Sequence, residues 1–171
     1  MQFFTREWMS ELDDRKYKAT IPAYKAHLDR ISPLLPGTVW TLARGVNIHD
    51  GLIRSVDLRR KRRALKLALR CGDLQVGYYD LDLAYRGVDW AASNLRDLAS
   101  IARNVRTEAA YDEVDADSTD GETRAFHRII FQPKGEIEVV FVRLGLKLVP
   151  RRGRDVVRAP NVYTRDSARS A

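Results

Sequence analysis

The sequence is poor in cysteine: Cys71 is the single example in 171 residues. No disulfide can therefore form within the chain, which favours a reducing compartment. Cys71 is followed by Gly72 and Asp73, a pair typical of tight turns. We interpret this cysteine as a small, inert residue near the end of a strand, because no group that would activate a thiol can be identified beside it.

Long hydrophobic runs are also missing. No segment approaches the roughly 18 consecutive apolar residues of a transmembrane helix. The opening residues, MQFFTREWMSELDD, include four acids and no apolar stretch, so they do not resemble a secretory signal. We expect a cytoplasmic protein that makes no contact with a membrane.

Several common catalytic motifs are absent. The sequence contains no G-x-x-x-x-G-K-[ST], no G-x-G-x-x-G, no H-E-x-x-H, no C-x-x-C and no G-x-S-x-G. These absences remove the common nucleotide-binding, dinucleotide-binding, zinc-dependent and serine-hydrolase classes. They favour a non-enzymatic domain, and they indicate neither a cofactor nor a resident metal.

What the sequence has in excess is positive charge. It contains 30 lysines and arginines against 23 aspartates and glutamates, a formal net charge of +7 at pH 7. The densest basic run is Arg59, Arg60, Lys61, Arg62 and Arg63, and residues 151–171 add six arginines against two aspartates. The run and the tail together exceed the net charge of the whole chain, so the remainder is slightly acidic.

Hydrophobic spacing divides the chain into a helical part and a strand-rich part. In residues 1–45, apolar side chains recur every three or four positions, as on one face of a helix. From residue 46 the period becomes two, which is typical of strands with one buried face. Helical spacing returns over 89–106. The predicted strands are 52–58, 65–69, 79–85, 107–114, 123–132 and 136–142.

These elements predict one α+β domain over residues 1–150. We expect an antiparallel sheet of five or six strands, with an N-terminal helical segment (1–45), mostly strands over 46–150, and one helix inserted between hairpins. The segment LGLKLVP is expected to extend the sheet past a kink at Gly145. The core should contain Leu67, Leu81 and Ile137. Residues 151–171 are predicted to be a basic, mobile tail, with one short docked piece near Val156, Val157 and Tyr163.

Asp80 and Asp82 are the strongest candidates for catalytic residues. Two carboxylates that stand two residues apart on a strand point to the same face, about 6–7 Å apart, which suits acid–base chemistry or a divalent cation. The alternative is a cross-strand ion pair with Lys66 on the solvent-exposed face of the sheet, which would stabilise the fold by about 0.2–1 kcal/mol.

Histidines give weaker candidates. His49 and Asp50 could bind a metal or exchange protons, but neighbours on an extended chain point in opposite directions, and Asp50-Gly51 is an ordinary turn pair. His127 is expected to be a hydrogen-bonded residue of the core or its rim. His27 is expected to be exposed.

Two charged segments remain. Residues 112–122, DEVDADSTDGE, resemble a calcium loop but fail its register, because the sixth and twelfth positions would be Asp120 and Phe126. A solvated hairpin loop is the preferred interpretation.

The basic run 59–63 lies between two predicted strands, so it should form a hairpin tip. Such a tip could contact nucleic-acid phosphates, or it could simply keep the sheet edge soluble.

Four segments together resemble a group of small bacterial proteins described as a domain of unknown function. They are the opening MQFFTREW, IHDGLI at 48–53, GDLQVGYYDLDLAYRGVD at 72–89, and the hairpin AFHRIIFQPKGEIEVVF. The likeness covers most of residues 1–145. It implies a bacterial protein of this fold, and it implies no particular reaction, since no activity is established for the group.

We therefore expect a non-enzymatic binding or interaction domain of the bacterial cytoplasm, with a protein as its partner. Two alternatives stay open. One is a nucleic-acid-associated protein that uses the basic run and the arginine-rich tail without sequence preference. The other is a metal-dependent enzyme that uses Asp80 and Asp82, with His49 and Asp50 if the four converge.

Overall fold

The computed structural model describes residues 1–10, 14–73, 77–119, 121–151 and 162–164. The N-terminal part is helical, as predicted. It contains α1 (Arg6–Ser10), α2 (Asp14–Ile31), a short 3-10 turn (Ser32–Leu34) and α3 (Gly37–Gly45). The α2 helix ends where Pro33, which lacks an amide donor, enters the 3-10 turn. No helix in these ranges has both the length and the hydropathy needed to cross a bilayer.

Strands dominate the rest of the described chain. Seven of them form one antiparallel sheet in the order β6-β5-β4-β1-β2-β3-β7, and an eighth pairs with β1 in parallel. The strands are β1 (Gly51–Arg59), β2 (Ala64–Asp73), β3 (Gly77–Arg86), β4 (Glu108–Thr119), β5 (Glu122–Gln132), β6 (Glu136–Phe141), β7 (Arg143–Arg151) and β8 (Val162–Thr164).

The α+β class and the antiparallel sheet are confirmed, but the expected number of five or six strands is wrong. The segment LGLKLVP does extend the sheet, as expected, but it runs through Gly145 in continuous register with β3. It belongs to β7, a separate strand that pairs with β3 at the other end of the strand order. Only Val142 separates β6 from β7, so no turn motif marks the boundary between them.

The two edge strands of the sheet follow each other directly in the chain, so the sheet must curve to bring them together. β6 and β7 lie at opposite ends of the strand order, yet they are consecutive in sequence. The segment 86–94 runs beside this β6–β7 junction. The amide of Val142 donates to Arg86 O (3.1 Å), that of Asp89 donates to Val140 O (2.9 Å), and that of Glu138 donates to Asn94 O (2.8 Å).

The helix predicted over 89–106 is shorter than expected, because the segment 86–94 forms backbone hydrogen bonds with the β6–β7 region instead. The helix found there, α4, spans only Leu98–Arg103. The preceding residues form turns, in which the Asp89 carboxylate accepts hydrogen bonds from the amides of Ala91 and Ala92. Backbone pairing with β6 takes the place of the first helical turns.

The concave side of the sheet encloses the core. Leu67, Leu81 and Ile137 are fully buried there, as predicted. The helices complete the core with buried aliphatic side chains, which are Leu28, Ile31, Val39, Leu42, Leu98 and Ile101.

The tail predicted over 151–171 is in part structured. Arg151 is the last residue of β7, and Val162–Thr164 pair with Ser55–Asp57 as β8, which includes the predicted docked residue Tyr163. Val156 and Val157 lie outside the described residues, as do the other tail positions.

Candidate anion-binding site

One face of the sheet is exposed and strongly basic. Alternate side chains of β1, β2, β3 and β7 point away from the core, and the strand register aligns them in rows. From the β1–β2 hairpin onwards, the rows are Arg59, Ala64, Arg86 and Arg143; Asp57, Lys66, Ala84 and Gly145; Ser55, Ala68, Asp82 and Lys147; and Arg70, Asp80 and Val149. We call this surface the basic face, because its cations outnumber its carboxylates.

Asp80, the first candidate catalytic residue, is enclosed by arginines. Its side chain is only 8% exposed and accepts hydrogen bonds from Arg54, Arg70 and Arg151. The Arg70 Nε atom lies 2.9 Å from Asp80 Oδ1, and the Arg151 Nε atom lies 2.7 Å from Oδ2. Arg54 reaches the same carboxylate because it is the extra residue of a β-bulge in β1.

The arginines keep Asp80 ionised. Burial alone would raise the pKa of Asp80, but the hydrogen bonds from Arg70 and Arg151 and the charge of Arg54 outweigh burial and hold the pKa below its usual range. A general acid or base works best with a pKa near the working pH, which Asp80 does not have. A divalent cation would also have to displace guanidinium groups to reach the carboxylate oxygens.

Asp82 lies on the same face but has a different partner. Its Oδ2 atom lies 3.2 Å from Lys66 Nζ, and both side chains are at least one-third exposed. Lys66 is opposite Ala84 in the register, so the ion pair runs diagonally between β2 and β3. Each aspartate is thus matched with its own cation. This arrangement favours the ion-pair interpretation over a paired acid–base site.

The basic run forms the β1–β2 hairpin, as predicted, and its backbone is fixed to the segment that follows β3. Residues 60–62 make a 3-10 turn, and Arg63 has a left-handed backbone with φ of 47°. The Val88 amide donates to Arg63 O (2.9 Å), Arg63 Nε donates to Val88 O (3.2 Å), and Trp90 Nε1 donates to Arg60 O (3.3 Å). The hairpin is therefore held in place rather than free in solvent.

A pocket lies at the hairpin end of the basic face, next to these hydrogen bonds between the hairpin and the segment after β3. The cavity measures about 390 Å³. Its floor includes the small residues Ala64 and Ala84. Its charged lining, which defines the basic pocket, consists of Arg59, Arg62, Lys66, Arg86, Arg143 and Asp57.

Three arginines of the basic pocket have no counter-ion among the residues that the structure describes. Arg59 is paired with Asp57 (2.7 Å), and Lys66 with Asp82 (3.2 Å). Within the described residues, no acidic side chain pairs with Arg62, Arg86 or Arg143, and all three are exposed. The pocket thus presents three unneutralised guanidinium groups, the donors that best match phosphate oxygens.

His49 and Asp50 do contact each other, contrary to the expectation that they point apart. Asp50 has a left-handed backbone (φ 59°), which brings its Oδ1 to 3.0 Å from His49 Nδ1. The pair lines a second cavity of about 350 Å³ together with Asp73 and Tyr79.

The four candidates Asp80, Asp82, His49 and Asp50 do not converge. Tyr79, which lines the second cavity, points to the opposite face of β3 from Asp80. Among the described residues, no group of three or more His, Cys, Asp and Glu side chains could hold a metal ion.

His127 is a hydrogen-bonded core residue, as predicted. It is fully buried, with Nδ1 at 2.7 Å from Tyr85 Oη and Nε2 at 3.0 Å from Asp112 Oδ2. Burial, followed by the charge of Asp112, raises the pKa of Tyr85 well above its usual value, so the phenol stays protonated. The two contacts are satisfied together when the phenol donates to Nδ1 and the imidazole carries its proton on Nε2, facing Asp112.

The hairpin expected at 112–122 is present, but most of its described residues belong to a strand rather than to a solvated loop. Residues up to Thr119 belong to β4, where the carboxylates have specific partners. Glu113 is 1% exposed and accepts hydrogen bonds from the amides of Gln2 and Phe3 and from Arg128. The two amide donors lie 111 and 110 residues away in the sequence, so the local pattern could not reveal them.

His27 is buried, contrary to expectation. Its Nε2 atom lies 3.1 Å from Asp115 Oδ1, and Arg30 donates to its Nδ1 at 2.7 Å.

Cys71, by contrast, matches its prediction. It is fully buried in β2, and burial raises the pKa of its thiol to about 12, which makes it a poor nucleophile.

Arg86 and Arg143 are the site residues that sequence reasoning missed. Arg86 directly follows the predicted strand 79–85 and has the same parity as Asp80 and Asp82, so extending that strand by one residue would have assigned its face. Arg143 could not, because β7 was not recognised as a separate strand. No family model matches the chain, and no curated protein matches it significantly.

Proposed function

We propose that this protein is a non-enzymatic binding domain that docks nucleic acid on its basic face, through the phosphates and without sequence preference. The observation that carries the proposal is the set of three unneutralised arginines, Arg62, Arg86 and Arg143, around one cavity. Phosphate contacts dominate nonspecific affinity for nucleic acid, and arginine matches phosphate geometry with paired donors.

The distribution of acids supports binding over catalysis. Asp57, Asp80 and Asp82 are each within ion-pair distance of a lysine or arginine. A carboxylate engaged by a lysine or an arginine is less available to a substrate proton or to a metal ion, since the new partner must displace the cation. What remains available on this face is positive charge, which attracts a polyanion and sets its orientation.

The test is a salt titration of binding to a blunt, unphosphorylated DNA duplex. Replacing Arg62, Arg86 and Arg143 by serine should flatten the slope of log K against log salt by about 2.7, since each lost phosphate contact removes about 0.9. The matched control replaces Arg96, Arg106 and Lys134 by serine. These three are also exposed but lie outside the basic face. The control should bind like the wild type.

Three results would count against the proposal. Equal losses in the two triple variants would show that net charge alone drives binding. No binding of the intact chain at physiological salt would favour a protein partner with an acidic surface. A sequence-selective complex tighter than about 10⁻⁸ M would indicate a dedicated DNA reader instead.

A further inference from the structure

We infer that the basic pocket is a subsite for a terminal phosphate monoester, such as the phosphorylated end of a nucleic-acid strand. This inference rests on the proposed function and assigns the pocket a role distinct from the rest of the basic face. It follows from the size, the charge and the rigidity of the pocket.

The size of the pocket favours a strand end over a duplex. A cavity of about 390 Å³ is too small to enclose a double helix, whose major groove alone is about 12 Å wide, so a duplex can only lie across the opening. A phosphate group with part of its nucleoside fits, and the small side chains of Ala64 and Ala84 leave room for it at the floor.

The charge of the pocket favours a monoester over a diester. Arg62, Arg86 and Arg143 add three positive charges that Asp57 and Asp82 do not neutralise, since those acids are paired with Arg59 and Lys66. A terminal phosphate monoester carries a charge of about −1.5 to −2 at pH 7 and offers three acceptor oxygens. A backbone diester carries about one charge and two free oxygens, so it can satisfy fewer of these arginines at once.

The pocket is also preorganised. The hairpin that carries Arg62 is bonded to Val88 and Trp90, and the backbone of Arg86 accepts a hydrogen bond from Val142, the residue before Arg143. Gly87 permits this close approach, because it has a φ of 67° and a Cβ there would meet the Val142 side chain at 3.0 Å. A ligand therefore meets guanidinium groups whose backbones are already in position, which lowers the ordering cost of binding.

The experiment compares three single-stranded DNA oligomers of one sequence, which carry a 5′-phosphate, a 3′-phosphate or hydroxyl groups at both ends. Fluorescence anisotropy at fixed salt should show at least one phosphorylated strand binding about tenfold more tightly than the hydroxyl strand, or about 1.4 kcal/mol. The preference should shrink between pH 7 and pH 5, because the second pKa of a phosphate monoester is about 6.

Arg143→Gln should abolish the preference, and it should weaken the hydroxyl strand only about as much as Lys147→Gln does, because each variant loses one cation of the basic face. Arg86→Gln is a second variant with the same expectation, and a thermal melt checks that each is folded. The control is Lys147→Gln, an exposed residue of the basic face outside the pocket, which should weaken all three strands alike.

Equal affinity of the wild type for all three strands would overturn the inference and leave the proposed function standing, provided the strands bind with a salt-dependent constant. A preference that survives in folded Arg143→Gln and Arg86→Gln would also overturn it. Failure of every strand and duplex to bind would reject the proposed function itself.

Discussion

Replacing Asp80 with asparagine should destabilise the fold by about 2–4 kcal/mol. The substitution removes the negative charge that Arg54, Arg70 and Arg151 share, and it turns one acceptor oxygen into a donor that faces a guanidinium. Breaking a fully buried ion pair costs about 3–5 kcal/mol, whereas an exposed pair is worth about 0.2–1 kcal/mol.

The structure places Asp80 between these limits. Asp80 and Arg70 are 8% and 12% exposed, but Arg54 and Arg151 are 34% and 40% exposed, so water screens two of the three contacts. The expected loss of stability exceeds the 0.2–1 kcal/mol predicted from the sequence for a solvent-exposed ion pair, because the arginines themselves bury the carboxylate.

Urea denaturation is the assay, and the matched control is Asp82→Asn on the same face of the same strand. Asp82 and its partner Lys66 are 36% and 50% exposed, so this control should cost less than about 1 kcal/mol. The m-value should stay constant in both variants. Similar unfolding midpoints for the two variants would refute the reasoning.

The dependence on pH gives a second check, with a definite sign. Because the pKa of Asp80 is lowered in the folded state, its stabilising effect is fully present above its unfolded pKa of about 3.9 and is lost as the pH falls through the folded value. The gap between wild type and Asp80→Asn should therefore be constant from pH 7 to about pH 5 and close at lower pH. A gap that does not narrow as the pH falls below the unfolded pKa would show that the carboxylate charge is not its cause.

Two further predictions concern the core. Leu81→Ala should lower the free energy of unfolding by about 2–5 kcal/mol in a urea titration, because Leu81 is fully buried between Leu69 and Leu148 on the neighbouring strands. An unchanged unfolding midpoint would mean that this face of β3 is not the core face. Tyr85→Phe should cost about 1–3 kcal/mol, because it leaves the buried His127 Nδ1 without a donor; a cost below about 0.5 kcal/mol would show that this hydrogen bond contributes little.

Local periodicity predicted the elements whose partners are adjacent in sequence. The β2–β3 hairpin was recognisable because Leu65–Leu69 and Tyr79–Tyr85 alternate cleanly, and the same alternation placed Leu67 and Leu81 in the core. The β1–β2 hairpin followed from a charged run between two such segments. In each case, the residues that define the structure lie within about 20 positions of each other.

Elements defined by remote contacts were missed. Nothing near Val142 signals a change of strand, because β7 is set apart by its pairing with β3, about 60 residues earlier in the chain. The acids of β4 look like loop residues until the N-terminal amides are known to bind Glu113. His27 looked exposed for the same reason, since its partner Asp115 is 88 residues away.

The basic face shows why a count of charges does not locate a binding site. Arginines are most crowded around Asp80, where Arg54, Arg70 and Arg151 meet, yet their carboxylate partner is buried among them and offsets part of their charge. Lys66 and Arg59 are likewise matched by Asp82 and Asp57.

Moving along the face towards the β1–β2 hairpin, the carboxylates end at Asp57 while the arginines continue. An anion is attracted by charge that is not already compensated, and a concave site concentrates that field. The acids of this face thus restrict the strongest attraction to the hairpin end, around Arg62, Arg86 and Arg143. Asp80 and Asp82, the first candidates for catalysis, contribute to the site by offsetting part of the positive charge on the surface around it.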